Sequence, residues 1–575
     1  MRFSSFSQIA VPSWSRLHWK SLLLLAAISI GLYLSSLRYD FVWDDRLLIL
    51  DNPYVQEARL LGEGLISDFW KIYEDPTRFR HYYRPTVTLS YFFDYSIWGE
   101  NPSGYHATNV ALHLINVLLF FGACLVLFRS SETALVTAAV FAAHPIHTES
   151  VTWISGRTDL LASAFVLGSF LCYLQIAKKA ASSRWILAST LLFILALLSK
   201  EVAIVLPIAL ACHLHWQNTE KKNLFYLQAA IAAQAVIGGI YLLIRTAVLE
   251  MPLTVDAGRP LWLLFFNLPR ILSRYLLKLV APIELHAHDP TAWALPDQWA
   301  RVALASVVLL VAVGLITWLG QKDTRARFGG AWALIFLLPV LNAGTFTDVL
   351  VAERFLYIPS VGFCWVLGTA YQLAEHSRRT TRAVAITVIL LAGLGTWYRN
   401  PIWKNELGLF EHMTRSSPHY PLPHILLGDA YQSAGEPDRA LQHYQTALEL
   451  EPQNCKLLNA IAVAQLELGV IRRSGEILDT GFDLVGRALD ICPQDDYLHH
   501  TLGEYYLRQK NVEAALAEFK NAVSLNPFKV SYYYNIGAIL FASGKVGEAR
   551  PFLEEYARRG PRGEYRDQAI EWLAQ

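Results

Sequence analysis

A chain of 575 residues in which 54% are apolar and 17% charged carries too little charge to be soluble throughout, since soluble proteins hold about 25% charged residues. Its formal net charge of +1 lacks the basic excess of a nucleic-acid binder. The deficit is uneven: residues 1–398 hold apolar runs at 21–34, 134–143 and 302–319, whereas 399–575 is rich in Glu, Gln, Lys and Arg. This divides the chain into a membrane domain (1–398), a linker (399–419) and a soluble helical domain (420–575). The 17 Trp and 27 Tyr suit aromatic belts at the membrane interfaces.

In chain order, the first apolar segment, 19–37, follows Arg2, Arg16 and Lys20 as the core of a signal peptide would. No small-residue cleavage pattern comes after it, so it is expected to remain as a first span. A helix needs about 20 residues to cross the hydrocarbon. Ten further candidates lie near 107–128, 132–146, 158–176, 185–198, 200–216, 224–245, 302–320, 330–343, 355–374 and 382–398. Basic residues crowd alternate connections: Arg129; Lys178, Lys179 and Arg184; Lys221 and Lys222; Lys322, Arg325 and Arg327; Arg378, Arg379 and Arg382. All fall on the side of the N-terminus, which the positive-inside rule makes cytoplasmic. An odd number of spans then puts the C-terminal domain outside. Residues 261–283 are apolar enough to cross but carry Arg270, Arg274 and Lys278 on one helical face. A crossing there would invert every later loop, so an interfacial or re-entrant helix on the outer side is expected.

The outer loops gather polar groups against apolar spans. The first, about 38–106, opens with Phe41-Val42-Trp43-Asp44-Asp45 and carries Tyr83-Arg84-Pro85. The second span presents His106, Asn109 and His113 on one face. Later outer connections read His144-Pro145-Ile146-His147-Thr148-Glu149, Gly156-Arg157-Thr158-Asp159, Ser199-Lys200-Glu201 and Glu353-Arg354. Any single ionisable group at a span end is usually an anchor. Their recurrence on several segments points to a shared polar cavity, because an unpaired charge in hydrocarbon is costly.

Two adjacent carboxylates with Arg84, Arg157, Lys200 and Arg354 around them suit transfer of a sugar from a phosphate carrier. One carboxylate takes the acceptor hydroxyl proton, and the cations hold the departing phosphate. Asp44 and Asp45 are expected to face solvent. Tyr83, His106, Asn109, His113, His144, His147, Glu149, Asp159, Glu201 and Glu353 are expected to support the site. His106 and His113 alone are weak grounds for a metal; hydrogen bonding or structural pairing is their expected role, and no metal is assigned.

The soluble part repeats itself. Gly428, Gly503 and Gly537 are followed twelve residues on by Ala440, Ala515 and Ala549, and twenty-four on by Pro452, Pro527 and Pro561. Tyr431 matches Tyr506, Tyr444 matches Phe519, and Ala447 matches Ala522. This is the 34-residue tetratricopeptide pattern, in about four units. One unit, 455–493, is longer and has lost the glycine. Such a superhelix offers a concave groove for an extended polypeptide. Cys455 opens the first helix of that unit and Cys492 closes its second, so the antiparallel pair brings both thiols within bridging reach. The predicted topology puts them in an oxidising compartment.

With these motifs in this order, the chain resembles the transmembrane and tetratricopeptide-containing O-mannosyltransferases. The resemblance rests on residues 41–45, 83–85, 106–113, 144–149, 156–159, 199–201 and 353–360, and covers nearly the whole chain. It implies an all-α membrane bundle of the GT-C type, a polyprenyl-phosphate-mannose donor, inverting transfer, and a Ser or Thr hydroxyl of an exported protein as acceptor. It also implies that Asp44 and Asp45 are catalytic. A related transferase acting on a lipid or polysaccharide, and a non-enzymatic scaffold, are the alternatives. The only Asn-x-Ser/Thr match in form, Asn101-Pro102-Ser103, is blocked by its proline, which leans toward a bacterial inner membrane with a periplasmic repeat domain.

Overall fold

The computed structural model describes residues 18–71, 82–178, 183–216, 221–249, 261–289, 298–341, 351–374, 378–560 and 563–575. Arg2, Arg16, Lys179 and Pro561 lie outside them. Every regular element among the described residues is helical. Each of the eleven expected spans coincides with a helix, although 342–343 lie outside the described residues. Six stretches are long and apolar enough to cross a membrane: Trp19–Arg38, Pro102–Phe128, Ile154–Ile176, Asn223–Leu249, Trp299–Lys322 and Arg378–Trp403. Ser131–Ala143, Ser183–Leu197 and Glu201–Trp216 are apolar but shorter. The helix Trp299–Lys322 turns Leu304, Leu310 and Val311 outward, and Arg378–Arg399 does the same with Leu390, Leu391 and Leu394. Such surfaces are solvated by lipid tails rather than water.

Buried polar side chains join the membrane helices to one another. Ser169 and Ser189 share a 3.0 Å hydroxyl contact, and Gln234 Nε2 donates to both, at 3.1 and 2.9 Å. Interhelical hydrogen bonds of this kind substitute for the hydrophobic drive that lipid removes.

Where the chain must turn into the site, local chemistry interrupts the helix. Ser131–Ala143 stops at His144, which adopts an extended conformation (φ −70, ψ 127) because Pro145 follows. His144 Nδ1 then accepts from the Ile146 amide at 3.2 Å, capping the next turn. The chain winds through Thr148–Thr152 and Ile154–Gly156 before Arg157 starts the next long helix. A Cβ at Gly156 would lie 2.6 Å from the Ser150 carbonyl oxygen, so this turn demands glycine.

The helix Leu261–Val280 carries its basic face toward protein. Arg274 pairs with Glu284 at 2.7 Å, and Lys278 with Asp289 at 2.8 Å. Those pairings hold the helix against the loop that follows it.

The soluble part is four helical hairpins and a terminal helix. The hairpins are Pro421–Ser433 with Pro437–Leu450, Cys455–Arg472 with Gly475–Ile491, Asp496–Arg508 with Val512–Leu525, and Val530–Ala542 with Val546–Arg559. Glu564–Ala574 completes the array. Gly503 is needed because a Cβ there would sit 2.9 Å from the Phe519 ring. In the irregular second hairpin the close approaches fall at Gly469, whose Cβ would lie 2.7 Å from Leu478 Cγ, and at Gly481, whose Cβ would lie 3.1 Å from the Ala462 carbonyl oxygen. Cys455 and Cys492 form a disulfide there, with their Cα atoms 6.2 Å apart. Residues 399–419 contain their own helix, Glu406–Ser416, and an apolar cluster spans the junction. Val42, Trp153 and Ala287 pack in it with Trp403, Leu409, Phe410 and the first hairpin.

Candidate active site

The first outer loop makes a tight turn at its acidic pair. Trp43 has a positive φ of 55, a left-handed conformation that costs a bulky residue about 1–2 kcal/mol. Two interactions over-determine it. The Trp43 ring stacks on Trp153 at 5.3 Å, and Trp153 stacks on Trp403 at 5.8 Å. Asp45 also closes the turn from both sides: its amide donates to the Val42 carbonyl at 3.1 Å, and its Oδ2 accepts from the Val42 amide at 3.0 Å.

The two carboxylates differ sharply. Asp45 is fully buried, and its Oδ1 accepts from both the amide (2.8 Å) and the hydroxyl (2.5 Å) of Ser155. The expectation of two solvent-facing carboxylates is therefore corrected for Asp45, which is a tie between the first loop and the turn at Gly156. Asp44 is half-buried and makes no hydrogen bond or ion pair with the described residues. Burial pushes its carboxyl up to about 6, opposed by the nearby Arg354 guanidinium. Burial pushes Asp45 up to about 7 against the bonds from Ser155 and Val42, with the Asp44 charge adding to the rise.

Three of the four expected cations gather near one another, and Arg354 among them lies in range of Asp44. Arg354 Nη1 meets Glu149 Oε1 at 2.5 Å, and Lys200 Nζ meets both Asp159 oxygens at 2.6 and 2.7 Å. Arg84 Nη2 meets Glu201 at 3.0 Å, with its guanidinium over the Tyr82 ring at 4.4 Å. Lys200 lies within electrostatic range of both arginines, and Arg354 within range of Asp44. Arg354 spends Nη1 and its backbone amide on Glu149, and Arg84 spends Nε and Nη2 on Glu201. Nη2 of Arg354 and Nη1 of Arg84 have no acceptor among the described residues.

Arg157 is different. Its side chain has no exposure and is bonded to Asp94 at 2.6 Å, Asn109 Oδ1 at 2.9 Å and the Tyr105 carbonyl at 3.0 Å. No donor on it faces outward, so the expected contact with a donor phosphate is corrected to a scaffolding place. Asn109 passes the order on. Its Nδ2 donates to the carbonyls of Trp153 and Ile154 at 3.0 and 3.2 Å, fixing the turn that presents Ser155 to Asp45.

The remaining expected residues, Tyr83, His106, His113, His144, His147 and Glu353, are buried. His113 Nδ1 contacts the Tyr357 hydroxyl at 2.7 Å, and His147 Nε2 the Ser360 hydroxyl at 2.9 Å. His144 Nε2 meets the Leu279 carbonyl at 2.9 Å. His106 is buried edge-on to Tyr39, and Tyr83 is buried in the main apolar cluster. Glu353 does not pair with its neighbour Arg354; it meets Arg399 at 2.5 Å and Lys278 at 3.6 Å. Sequence reasoning missed Ser155, Asp94, Arg399, Trp153 and Asp68. Asp68 accepts from the Tyr82 amide at 3.1 Å and so steadies the ring beneath Arg84. Ser155 adjoins the Gly156–Asp159 motif and was findable there; Asp68 carries no such signal. Among the described residues no three His, Cys, Asp or Glu side chains converge to hold a metal ion.

Comparison with known proteins bears on both parts. The family model of dolichyl-phosphate-mannose-protein mannosyltransferases matches residues 92–241, and tetratricopeptide-repeat models match 422–454 and 500–564. Protein O-mannosyl-transferase F38B6.6 of Caenorhabditis elegans is 27% identical over 75% of this chain and 63% of its own length. Human protein O-mannosyl-transferase TMTC1 is 26% identical over 76% of this chain and 56% of its own. Human TMTC3 is 25% identical over 93% of this chain and 64% of its own. The chain thus spans less than two thirds of the length of these relatives. Among solved structures, a thermophilic TPR protein of Thermus thermophilus aligns with 33% of this chain and 95% of its own, at 17% identity and a TM-score of 0.28, an overlap that carries no argument. In its membrane motifs and its repeats together the chain is similar to the tetratricopeptide-repeat-containing protein O-mannosyltransferases.

Proposed function

We propose that this protein moves a mannosyl group from a polyprenyl-phosphate carrier to Ser or Thr hydroxyls of polypeptides on the extracytoplasmic side, inverting the sugar's anomeric configuration. One observation carries the reading: Asp44 is a carboxylate without a partner among the described residues, beside the tied Asp45 and in range of Arg354. A base must be free to take a proton, and a raised carboxyl accepts one more readily near neutral pH. Asp44 is therefore assigned as base and Asp45 as the group that positions it.

In the step, the acceptor oxygen attacks C1 of the sugar while its proton passes to Asp44. The bond from C1 to the phosphate oxygen breaks on the opposite face, and its electron pair leaves with the phosphate. The unpaired lobes of Arg84 and Arg354 meet the charge that develops there, with Lys200 adding field. Glu149, Asp159 and Glu201 hold the three cations in place without neutralising those lobes. Arg157, Asn109 and Ser155 keep the acidic turn in register.

The reading puts the N-terminus in the cytoplasm and the repeats in the periplasm of a bacterial inner membrane. Support comes from the alternation of basic loops and from a disulfide in the repeats, which suits an oxidising compartment. The acceptor polypeptide is assigned to the repeats because stacked repeats of this class present a concave binding surface.

The test is incubation of purified protein with labelled polyprenyl-phosphate mannose and a Ser/Thr peptide. Label on the peptide, removable by a mannosidase specific for the inverted linkage, is the expected result. Label that appears on lipid or polysaccharide instead would reassign the acceptor. Absence of transfer to any hydroxyl would leave the scaffold reading.

A further inference from the structure

The far end of the repeat array is fastened to the loop that carries the acidic pair. Arg566, on the terminal helix, forms an ion pair with Glu57 of the first outer loop, 509 residues away in sequence. The two side chains are 11% and 5% exposed, so this is not a solvated surface contact. Each is braced from behind: Arg566 Nε donates to the Ala557 carbonyl at 2.8 Å, and Glu57 accepts from Arg59 at 2.5 Å. Tyr54 lies within electrostatic range of Arg559, and Glu63 within range of Arg558.

The near end of the array is rooted on the same loop. Trp403 stacks on Trp153 and Trp153 on Trp43, one residue before Asp44. The intervening loop is short and stiff, because Gln56 donates to the carbonyls of Ile49 and Leu50 at 3.0 and 2.5 Å. Array and loop therefore form a closed circuit. Its two joints differ in kind. The near joint is three stacked indoles inside an apolar cluster with Leu409 and Phe410. The far joint is a charge pair, whose two partners can be rehydrated or re-paired with another charged chain once it opens, at the cost of breaking a buried bridge.

Resting on the peptide-acceptor reading above, we propose that Glu57 and Arg566 are a latch that opens to admit an extended polypeptide segment sideways between the repeat array and the loop bearing Asp44. The acceptor class this selects is a chain segment without bulky folded structure at the point of modification. A segment with free ends enters a closed circuit by threading, whereas one flanked by folded domains needs the latch to open.

Two measurements on the full-length protein in nanodiscs test this. In the first, spin labels at Gly62→Cys and Glu571→Cys, both exposed positions, report the distance across the joint. A narrow, short distribution is expected for the parent and for Arg566→Lys, and a broad, longer one for Arg566→Glu. An unchanged distribution in Arg566→Glu would overturn the latch. In the second, Glu57→Cys and Arg566→Cys are joined by a reducible bifunctional thiol cross-linker long enough to replace the lost side chains. The cross-linked protein should still modify a short free Ser/Thr peptide but lose transfer to the same peptide fused at each end to a folded domain, and reductant should restore it. Equal transfer to both substrates by the cross-linked form would also overturn the proposal. If no form modifies any peptide, the sugar-transfer reading fails, and the latch stands or falls on the distance measurement alone.

Discussion

Arg354 and Glu149 grip each other twice: Arg354 Nη1 reaches Oε1 at 2.5 Å, and the Arg354 backbone amide donates to Oε2 at 2.9 Å. Glu149 is fully buried and Arg354 is not, so the carboxylate sets the guanidinium's direction. Arg354→Lys keeps a charge but loses the fork. Donor Kd should rise about tenfold, the value of one charge-assisted hydrogen bond. Glu353→Gln should lower stability through Arg399 and Lys278 and leave donor affinity alone. Equal donor-binding defects in the two variants would sink the assignment of Arg354.

Asp44→Asn should lower turnover by at least about a hundredfold, the lower bound for a lost general base. Its thermal stability should hardly move, since the carboxylate has no partner to lose among the described residues. Asp45→Asn should lower both turnover and stability. An amide keeps only one acceptor oxygen, so its NH2 must face either the Ser155 donors or the Val42 amide, leaving a buried donor unsatisfied at about 1–3 kcal/mol. Calorimetry with kinetics on both variants separates the two roles.

The pH profile follows from the raised carboxyls. A base works when deprotonated, so with Asp44 near 6 and Asp45 near 7 the transfer rate should climb between about pH 5 and 7 and then level. The stability contribution runs the other way. Folding raises both values above the ordinary 3.8, so the folded state holds protons that the unfolded chain has already released. The stability these two groups contribute is therefore lost as pH rises from about 4 through 7. A rate that falls with pH across this window would count against Asp44 as base.

Reducing the Cys455–Cys492 bridge should loosen the irregular hairpin. A loop closed across a sequence separation of 37 is worth roughly 3–4 kcal/mol in the chain-entropy model. Cys492→Ser should lower the melting temperature of the array, and reductant should reproduce the drop in the parent but not in the variant. Alkylatable thiols at both positions in protein taken from its own compartment would refute the bridge.

Alkaline phosphatase fusions test the orientation. Fusions at Arg325 and Arg379 should be inactive and one at Gln575 active. Activity at Arg325 with silence at Gln575 would overturn the assigned sides.

Much of the architecture is legible in one dimension because its signals are local. Apolar runs mark the helices, and the spacing of Gly428, Gly503 and Gly537 marks the hairpins whose aromatic partners they admit. The candidate site is legible only as an inventory. Which carboxylate is tied depends on Ser155, 110 residues beyond Asp45, and which arginine is spent depends on Asp94 and Asn109 closing around Arg157. Glu353 and Arg354 look like a pair in sequence, yet successive residues on a helical turn point apart, and each finds a partner on another segment. No periodicity encodes such choices, because long-range packing decides them.

The enclosure of Arg157 bears on how this protein can change over generations. Its guanidinium bridges the Asp94 carboxylate and the Asn109 amide oxygen out of reach of water, so losing Arg157 takes a partner from both, and losing either leaves a buried donor of Arg157 unmet. Substitutions at these three positions should then be inherited as a set. A descendant in which Arg157 has become apolar should also have given up the charge at 94, and one that keeps Arg157 with an apolar residue at 109 should be rare.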